Sequence, residues 1–253
     1  MRITKLLPAV DLIEGTVVRL QQGDYERRTD FDVSPASVLK QYVDEGATQL
    51  HLVDLTGAKD TAKRQTALIA SLVKELNVLI EVGGGIRSEK DVEDLLAAGV
   101  SRVVVGSLAV KKPEVVEGFF KRFGGDKIVL ALDVSVNEQG VASVATDAWQ
   151  SVSQVTIDDA INRFLPFGLK FVLCTDIARD GMLAGSNKAL YRTLCEKYPA
   201  IGFIASGGIG SLDDIRALAG LGLDSIIVGR ALLENRFTVK EALRCLPNES
   251  LRV

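Results

Sequence analysis

Two aspartates and two glycine-rich turns recur along the chain at nearly constant spacing. Asp11, in Pro-Ala-Val-Asp-Leu, and Asp133, in Leu-Ala-Leu-Asp-Val, lie 122 residues apart, and Gly84-Gly85 and Gly207-Gly208 lie 123 apart. Two carboxylates in one site can divide acid and base roles, because repulsion and burial separate their pKa values. Glycine turns that lead into a helix expose backbone N–H groups to an anion. The pattern predicts acid–base chemistry on a substrate with a phosphate at each end.

Each glycine turn has a second part further along the chain, Gly106-Ser107 in the first half and Gly229-Arg230 in the second. Cradle 1 is therefore Gly84, Gly85, Gly106 and Ser107, and cradle 2 is Gly207, Gly208, Gly229 and Arg230. Turns of this kind can also be purely structural, but duplication at one spacing favours anion binding. At cradle 2, Arg230 either supplies a charged donor to a phosphate or turns outward to pair with a helix.

Other polar residues are candidates for substrate contact. Asp54 and Asp176 form a second pair 122 residues apart, and each could organise a loop or touch the substrate. Asp180 precedes a glycine in a predicted loop, which favours direct contact. Arg19, in the long first loop, could reach the substrate or remain solvated, as could Arg27-Arg28.

Two residue types occur only once. Trp149 lies in the polar stretch 137–156, where it could stack on a flat heterocycle or pack into a core. His51 is expected near the start of a strand, away from the functional end, in a structural or surface role. A single histidine leaves carboxylates as the acids and bases, and no metal site is predicted.

Short apolar runs alternate with amphipathic stretches throughout, which is typical of parallel βα units. Helix starts are indicated by Ser34-Pro35, Ser88-Glu89, Lys112-Pro113 and Ser211. Eight strands are predicted: 5–11, 49–54, 78–82, 102–105, 128–133, 171–175, 202–205 and 225–228.

This alternation predicts an α/β protein with a single (β/α)8 TIM barrel over residues 1–253, built from half-barrels of about 1–124 and 125–253. No linker separates the halves. In such a barrel the functional groups lie at the C-terminal ends of the strands, where Asp11, Asp54, Asp133 and Asp176 are expected. A dinucleotide-binding fold is disfavoured, because the turn at Gly83 lacks the last glycine of that fingerprint.

Composition narrows the class further. A net charge of −3 gives no long-range attraction for nucleic acid or anionic membranes. The three cysteines have neither zinc-site spacing nor the density of a disulfide framework. No apolar run is long enough to span a bilayer. We therefore expect a cytoplasmic protein, monomeric, that binds a small molecule.

Several segments together resemble one family, the phosphoribosylformimino-5-aminoimidazole carboxamide ribotide isomerases of histidine biosynthesis. The resemblance covers essentially the whole chain. The segments are Pro-Ala-Val-Asp-Leu at 8–12, His-Leu-Val-Asp-Leu-Thr-Gly-Ala at 51–58, Val-Gly-Gly-Gly-Ile-Arg at 82–87, Asp-Gly-Met-Leu-Ala-Gly-Ser-Asn at 180–187 and Ser-Gly-Gly-Ile at 206–209. Met182 departs from the threonine common in that motif.

The resemblance implies an Amadori isomerase that acts on a bisphosphorylated ribotide without cofactor or metal. Asp11 would be the general base and Asp133 the paired carboxylate usually assigned as acid, although the identity of the proton donor stays open. By the same resemblance Asp180 and Thr175 line the site, Trp149 lies over the aminoimidazole and Arg19 lies near the substrate.

Three alternatives remain. The sister cyclase family has the same half-barrels and aspartates but typically a cysteine and a lysine where this chain has Ala9 and Arg19. Phosphoribosylanthranilate isomerisation, alone or as an additional activity, needs only one cradle. A non-enzymatic sugar-phosphate sensor would use the cradles but would have no role for the paired aspartates.

Overall fold

The computed structural model describes residues 2–21, 23–146 and 151–247. Within these ranges twelve strands form one sheet. The strands are β1 (Lys5–Ile13), β2 (Thr16–Gln21), β3 (Asp24–Asp30), β4 (Gln49–Asp54), β5 (Leu79–Gly83), β6 (Arg102–Val105), β7 (Ile128–Val136), β8 (Ala142–Thr146), β9 (Ser151–Thr156), β10 (Phe171–Asp176), β11 (Gly202–Ser206) and β12 (Ser225–Val228).

Eight of these strands close into a parallel barrel. The order around the barrel is β1, β4, β5, β6, β7, β10, β11 and β12, and β12 returns to pair with β1. Each strand matches a predicted one, and the ends differ by no more than three residues. The prediction of a (β/α)8 barrel is confirmed.

The helices of the described ranges follow the strands as predicted. They are α1 (Pro35–Asp44), α2 (Leu55–Lys59), α3 (Thr66–Leu76), α4 (Glu89–Ala97), α5 (Ser107–Lys111), α6 (Pro113–Phe123), α7 (Ile157–Phe164), α8 (Lys188–Lys197), α9 (Leu212–Ala219), α10 (Arg230–Leu233) and α11 (Val239–Leu243). Short 3₁₀ turns lie at Thr61–Lys63 and Leu165–Phe167. Ser88 and Ser211 begin α4 and α9 with capping boxes, so both predicted starts are confirmed.

The largest apolar cluster lies between the outer faces of the barrel strands and the helices, and it includes Leu50, Val82, Phe119 and Phe203. A smaller cluster fills the barrel interior, formed by Leu7, Val104, Val129, Leu173 and Ile204. Burial on both faces explains why the barrel strands are almost continuously apolar. Polar groups inside the barrel therefore require a specific reason.

Two segments predicted as loops are hairpins. β2 and β3 follow β1 as antiparallel strands, and β8 and β9 follow β7 in the same way. Their charged and polar residues, such as Asp-Tyr-Glu-Arg-Arg-Thr-Asp in β3, hid the strand signal in the sequence. Both hairpins rise from the C-terminal ends of barrel strands. They therefore extend the wall of the barrel at its functional end.

No helix in the described part of the chain is long and apolar enough to cross a membrane. The cysteines Cys174, Cys195 and Cys245 form no disulfide.

Candidate active site

The C-terminal ends of the barrel strands surround a cavity of about 530 Å³. This volume falls within the range of small-molecule sites, roughly 300–1,000 Å³. The cavity is lined by every residue of cradles 1 and 2 and by Asp11, Arg19, Asp133, Thr175 and Asp180. The structure thus brings most of the residues selected from the sequence into one site.

Asp11 and Asp133 lie on opposite sides of this cavity. Asp11 is in β1, in register with Val53 of β4, and Asp133 is in β7, in register with Thr175 of β10. Three strands separate β1 from β7 in either direction around the barrel. A substrate in the middle of the cavity would therefore have a carboxylate on each side.

Arg19 joins Asp11 to Asp180. One guanidinium nitrogen of Arg19 lies 3.2 Å from Oδ2 of Asp11, and the other lies 2.5 Å from Oδ2 of Asp180. The exposed fractions of the three side chains are 22%, 15% and 14%. Water screens these charges only weakly, so the attraction is stronger than in a surface pair. The hairpin of β2 and β3 positions Arg19, since Arg19 lies in β2.

The surroundings of Asp11 favour a base that can also hold a proton. Burial raises the pKa of Asp11 above its ordinary value, Arg19 and His51 oppose that rise, and Asp180 adds to it, with a raised pKa as the net result. Burial alone would lower the pKa of Arg19, but Asp180 and Asp11 outweigh it and raise that pKa. A raised carboxyl pKa brings Asp11 closer to the range that suits proton transfer near neutral pH.

Cradle 1 requires glycine for steric reasons. Gly84 and Gly85 have φ values of 106° and 66°. A Cβ on Gly84 would lie 2.3 Å from the carbonyl oxygen of Asp54, and one on Gly85 would lie 2.0 Å from that of Gly57. Any side chain would therefore displace the backbone of the neighbouring loop.

Arg64 orients the backbone of cradle 1, and the sequence did not single it out. Its guanidinium donates to the carbonyl oxygens of Gly84 at 2.8 Å and Gly85 at 2.6 Å. In a trans peptide the next N–H points the opposite way from the carbonyl, so the N–H groups of Gly85 and Ile86 face away from Arg64. The equivalent residue in the second half is Ser186, 122 positions later, so a search for repeated residues overlooks Arg64.

Cradle 2 has a similar backbone conformation, but different hydrogen bonds hold it in place. Gly207 and Gly208 have φ values of 92° and 87°, and the carbonyl oxygen of Gly208 accepts from the N–H of Gly185 at 2.9 Å. Arg230 turns toward Glu234, the C-cap of its own helix, with Nε 2.5 Å from Oε1. It also donates to the carbonyl oxygen of Gly181 at 2.6 Å. Arg230 thus pairs with the C-cap of its own helix and holds Gly181, the residue that follows Asp180.

Asp54 and Asp176 are not in the cavity wall. Asp54 is fully buried, and its carboxylate accepts from the backbone N–H of Gly57 and from the backbone and side chain of Gln65. Asp176 is buried and accepts from the side chain of Asn187 at 2.7 Å. Their oxygens are occupied in holding loops. Both residues therefore hold loops through hydrogen bonds, and neither lines the cavity.

His51 is closer to the site than the sequence predicted. It is the third residue of β4 and its side chain shares the inward face with Val53, because alternate residues of a strand point the same way. It is buried and lines the cavity, so the expectation that it lies away from the functional end is wrong. Trp149 lies outside the described residues.

The fold and the cavity define an anion-binding (β/α)8 barrel with paired carboxylates at the C-terminal ends of its strands. The family model described as "Histidine biosynthesis protein" matches residues 5–238. The chain belongs to this family, whose members are enzymes of histidine biosynthesis. In the described part of the chain, no group of three or more His, Cys, Asp or Glu residues is arranged to hold a metal ion.

Proposed function

We propose that the protein catalyses the Amadori isomerisation of phosphoribosylformimino-5-aminoimidazole carboxamide ribotide, converting its aminoaldose to an aminoketose. The observation that carries the proposal is the meeting of both cradles with Asp11 and Asp133 in one cavity. A substrate with two terminal phosphates matches two cradles. An isomerisation matches two carboxylates that face each other across the bound molecule.

The cradles would fix the ends of the substrate. A phosphate at each cradle holds the reacting sugar carbons between the carboxylates, which replaces a chance encounter with a fixed geometry. At cradle 1 the donors are the backbone N–H groups of Gly85 and Ile86, which face away from Arg64. At cradle 2 the donors are the amides that follow Gly207 and Gly208 and the start of α10.

The carboxylates would move the protons. An acid protonates the ring oxygen, the bond between C1 and that oxygen breaks, and a protonated Schiff base forms at C1. The base then removes the proton from C2, and the resulting enol passes to the ketone as C1 gains a proton. The substrate is neither oxidised nor reduced overall. Positioned acids and bases each contribute roughly 10²- to 10⁴-fold to such a rate.

Asp11 is our choice of base. Arg19 favours its ionised form at 3.2 Å, while burial raises its pKa, which makes the carboxylate a stronger base. Asp133 and Asp180 both line the cavity and either could be the acid. Arg19 contacts Asp180 at 2.5 Å on the same side as Asp11. We favour Asp133 as the proton donor, because it faces Asp11 from the opposite side of the cavity.

The rivals fit the cavity less well. The cyclase reaction would also use Asp11 and Asp133, and the residues against it are Ala9 and Arg19, both of which line the cavity. Phosphoribosylanthranilate isomerisation would leave one cradle unused as a sole activity. A sensor would need no buried Asp11 of raised pKa.

The test is turnover of the purified ribotide, followed by absorbance, with phosphoribosylanthranilate and the cyclase substrate plus ammonia offered in parallel. We expect the ribotide to be isomerised and Asp11→Asn to be inactive. An exposed control, Asp213→Asn, should match the wild type. Turnover of the cyclase substrate alone, or of phosphoribosylanthranilate alone, would replace the proposal with that rival. Binding of the ribotide without turnover would favour the sensor.

A further inference from the structure

Ionisable side chains form a chain of contacts inside the first half of the barrel. Nδ1 of His51 lies 2.8 Å from Oε1 of Glu81, and Oε2 of Glu81 lies 3.0 Å from the guanidinium of Arg102. The exposed fractions of these side chains are 7%, 1% and 13%. Arg102 also covers the ring of Phe171 at 4.5 Å. We call His51, Glu81 and Arg102 the buried column.

The second half carries different residues at the equivalent positions. His51 is in register with Glu81, and Glu81 with Arg102. The same succession of registers in the second half runs from Leu173 to Ile204 and on to Ser225. Leu173 and Ile204 belong to the apolar cluster inside the barrel. This fold therefore accommodates apolar side chains at the places where the first half has a histidine and a glutamate.

Stability does not explain the column. Removing ions from water costs several kcal/mol each, and replacing a buried ion pair by apolar residues of similar size is often neutral or stabilising. The second half has apolar side chains at two of the three matching positions, Leu173 and Ile204, and an uncharged Ser225 at the third. The charges of the first half therefore call for a functional reason.

The top of the column lies beneath Asp11. Ala9 is in register with His51, and Asp11 with Val53, so His51 is one inward-facing position below Asp11 on the neighbouring strand. In the second half Ala131 is in register with Leu173, and Asp133 with Thr175. Asp11 therefore has an imidazole at the place where Asp133 has a leucine side chain.

We propose that His51, held by Glu81, is a positioning residue that favours the ionised form of Asp11 from beneath and so distinguishes Asp11 from Asp133 as the proton acceptor. The role rests on the isomerase reaction proposed above. Glu81 fixes the imidazole through Nδ1, which lies 2.8 Å from its carboxylate. His51 and Arg19 favour the ionised form of Asp11, and Asp180 opposes it from the cavity side.

The first experiment exchanges residues between the halves. His51→Leu installs the residue of the second half, and His51→Gln keeps a donor for Glu81 without a charge. We expect both to lower kcat at least about tenfold while KM changes within about threefold. Turnover of His51→Gln close to wild type would show that hydrogen bonding alone is needed, which overturns the proposal. So would a loss confined to KM.

Stability is controlled by a third variant, His51→Leu with Glu81→Ile and Arg102→Ser, which carries the complete set of second-half residues. We expect it to be folded, to bind inorganic phosphate like the wild type and to turn over as slowly as His51→Leu. Turnover near that of the wild type in this folded variant would contradict the proposal. If it does not fold, the two single variants decide the question.

A second measurement does not need turnover. Carbon-13 NMR of labelled aspartate, assigned with Asp11→Asn and Asp133→Asn, follows each carboxyl group against pH in the unliganded protein. His51→Leu should raise the pKa of Asp11 further and leave that of Asp133 in place. Equal movement of both, or of neither, refutes the inference. Failure of the proposed function is a separate outcome, namely absence of ribotide turnover in the wild type.

Discussion

Arg19 holds Asp11 and Asp180 in one ion-paired group, although Arg19 and Asp180 are 161 residues apart in the chain. Its guanidinium contacts one carboxylate at 3.2 Å and the other at 2.5 Å. The group connects the hairpin that follows β1 with the loop that follows β10. Arg19 lies outside the barrel strands, and it contacts Asp11, the expected base.

Arg19→Met should impair catalysis through the pKa of Asp11. Arg19 lowers that pKa, so its loss raises it further. Because the base works ionised, the acidic limb of the rate profile should move to higher pH. The measurement is kcat/KM against pH, with Arg28→Met on the same hairpin as a control, since Arg28 pairs with Asp30 on the surface. An unmoved acidic limb would mean that Arg19 does not act on the base.

Asp11→Asn should abolish isomerisation but not stability. The folded-state pKa of Asp11 is raised above 3.8, so the folded wild type loses stability as pH rises from 3.8 through that pKa. Asparagine has no proton to lose. As pH rises through this window, the free energy of unfolding of Asp11→Asn should therefore increase relative to that of the wild type. Urea unfolding at several pH values tests this, and a difference independent of pH would show that burial of the charge is not costly.

Asp133→Asn and Asp180→Asn decide the identity of the acid. We expect Asp133→Asn to lose roughly 10²-fold or more in kcat, since it removes the proton donor. Asp180→Asn should be less affected, because it breaks the contact with Arg19 but keeps the polar volume. The measurement is single-turnover kinetics with saturating enzyme. If Asp133→Asn is near wild type while Asp180→Asn is inactive, the acid is Asp180.

Arg64→Met should weaken phosphate binding at cradle 1 alone. Without its two hydrogen bonds, the carbonyls of Gly84 and Gly85 are free to turn and the cradle loses its orientation. A hydrogen bond to a charged group contributes about 1.5–3 kcal/mol, so affinity should fall about tenfold or more. Calorimetry with inorganic phosphate, together with a phosphate-soaked crystal, distinguishes the two sites.

Arg87→Met is the control for Arg64, since Arg87 lies beside cradle 1 but donates to the carbonyl oxygen of Ala58. Two occupied sites are expected in the wild type and in this control. A single occupied cradle in the wild type would argue against a substrate with two phosphates.

Much of the fold could be predicted because its signals are local. Apolar runs predict the eight barrel strands. Residues such as Ser88 and Ser211 begin helices through hydrogen bonds to residues only three positions away. The hairpin of β2 and β3 was not predicted, because β3 is too charged to resemble a strand and is stabilised by pairing with β2.

The sequence by itself determined the eight strands, the equivalent aspartates and the glycine turns, since local periodicity and the spacing of repeated motifs can be read without the fold. Only the tertiary structure decided that Arg19 links Asp11 to Asp180, that Arg64 orients cradle 1 and that His51 faces the cavity. It also decided that Asp54 and Asp176 hold loops instead of facing the cavity. These contacts join residues far apart in the chain, and they exist only because closing the barrel brings the ends of its strands together.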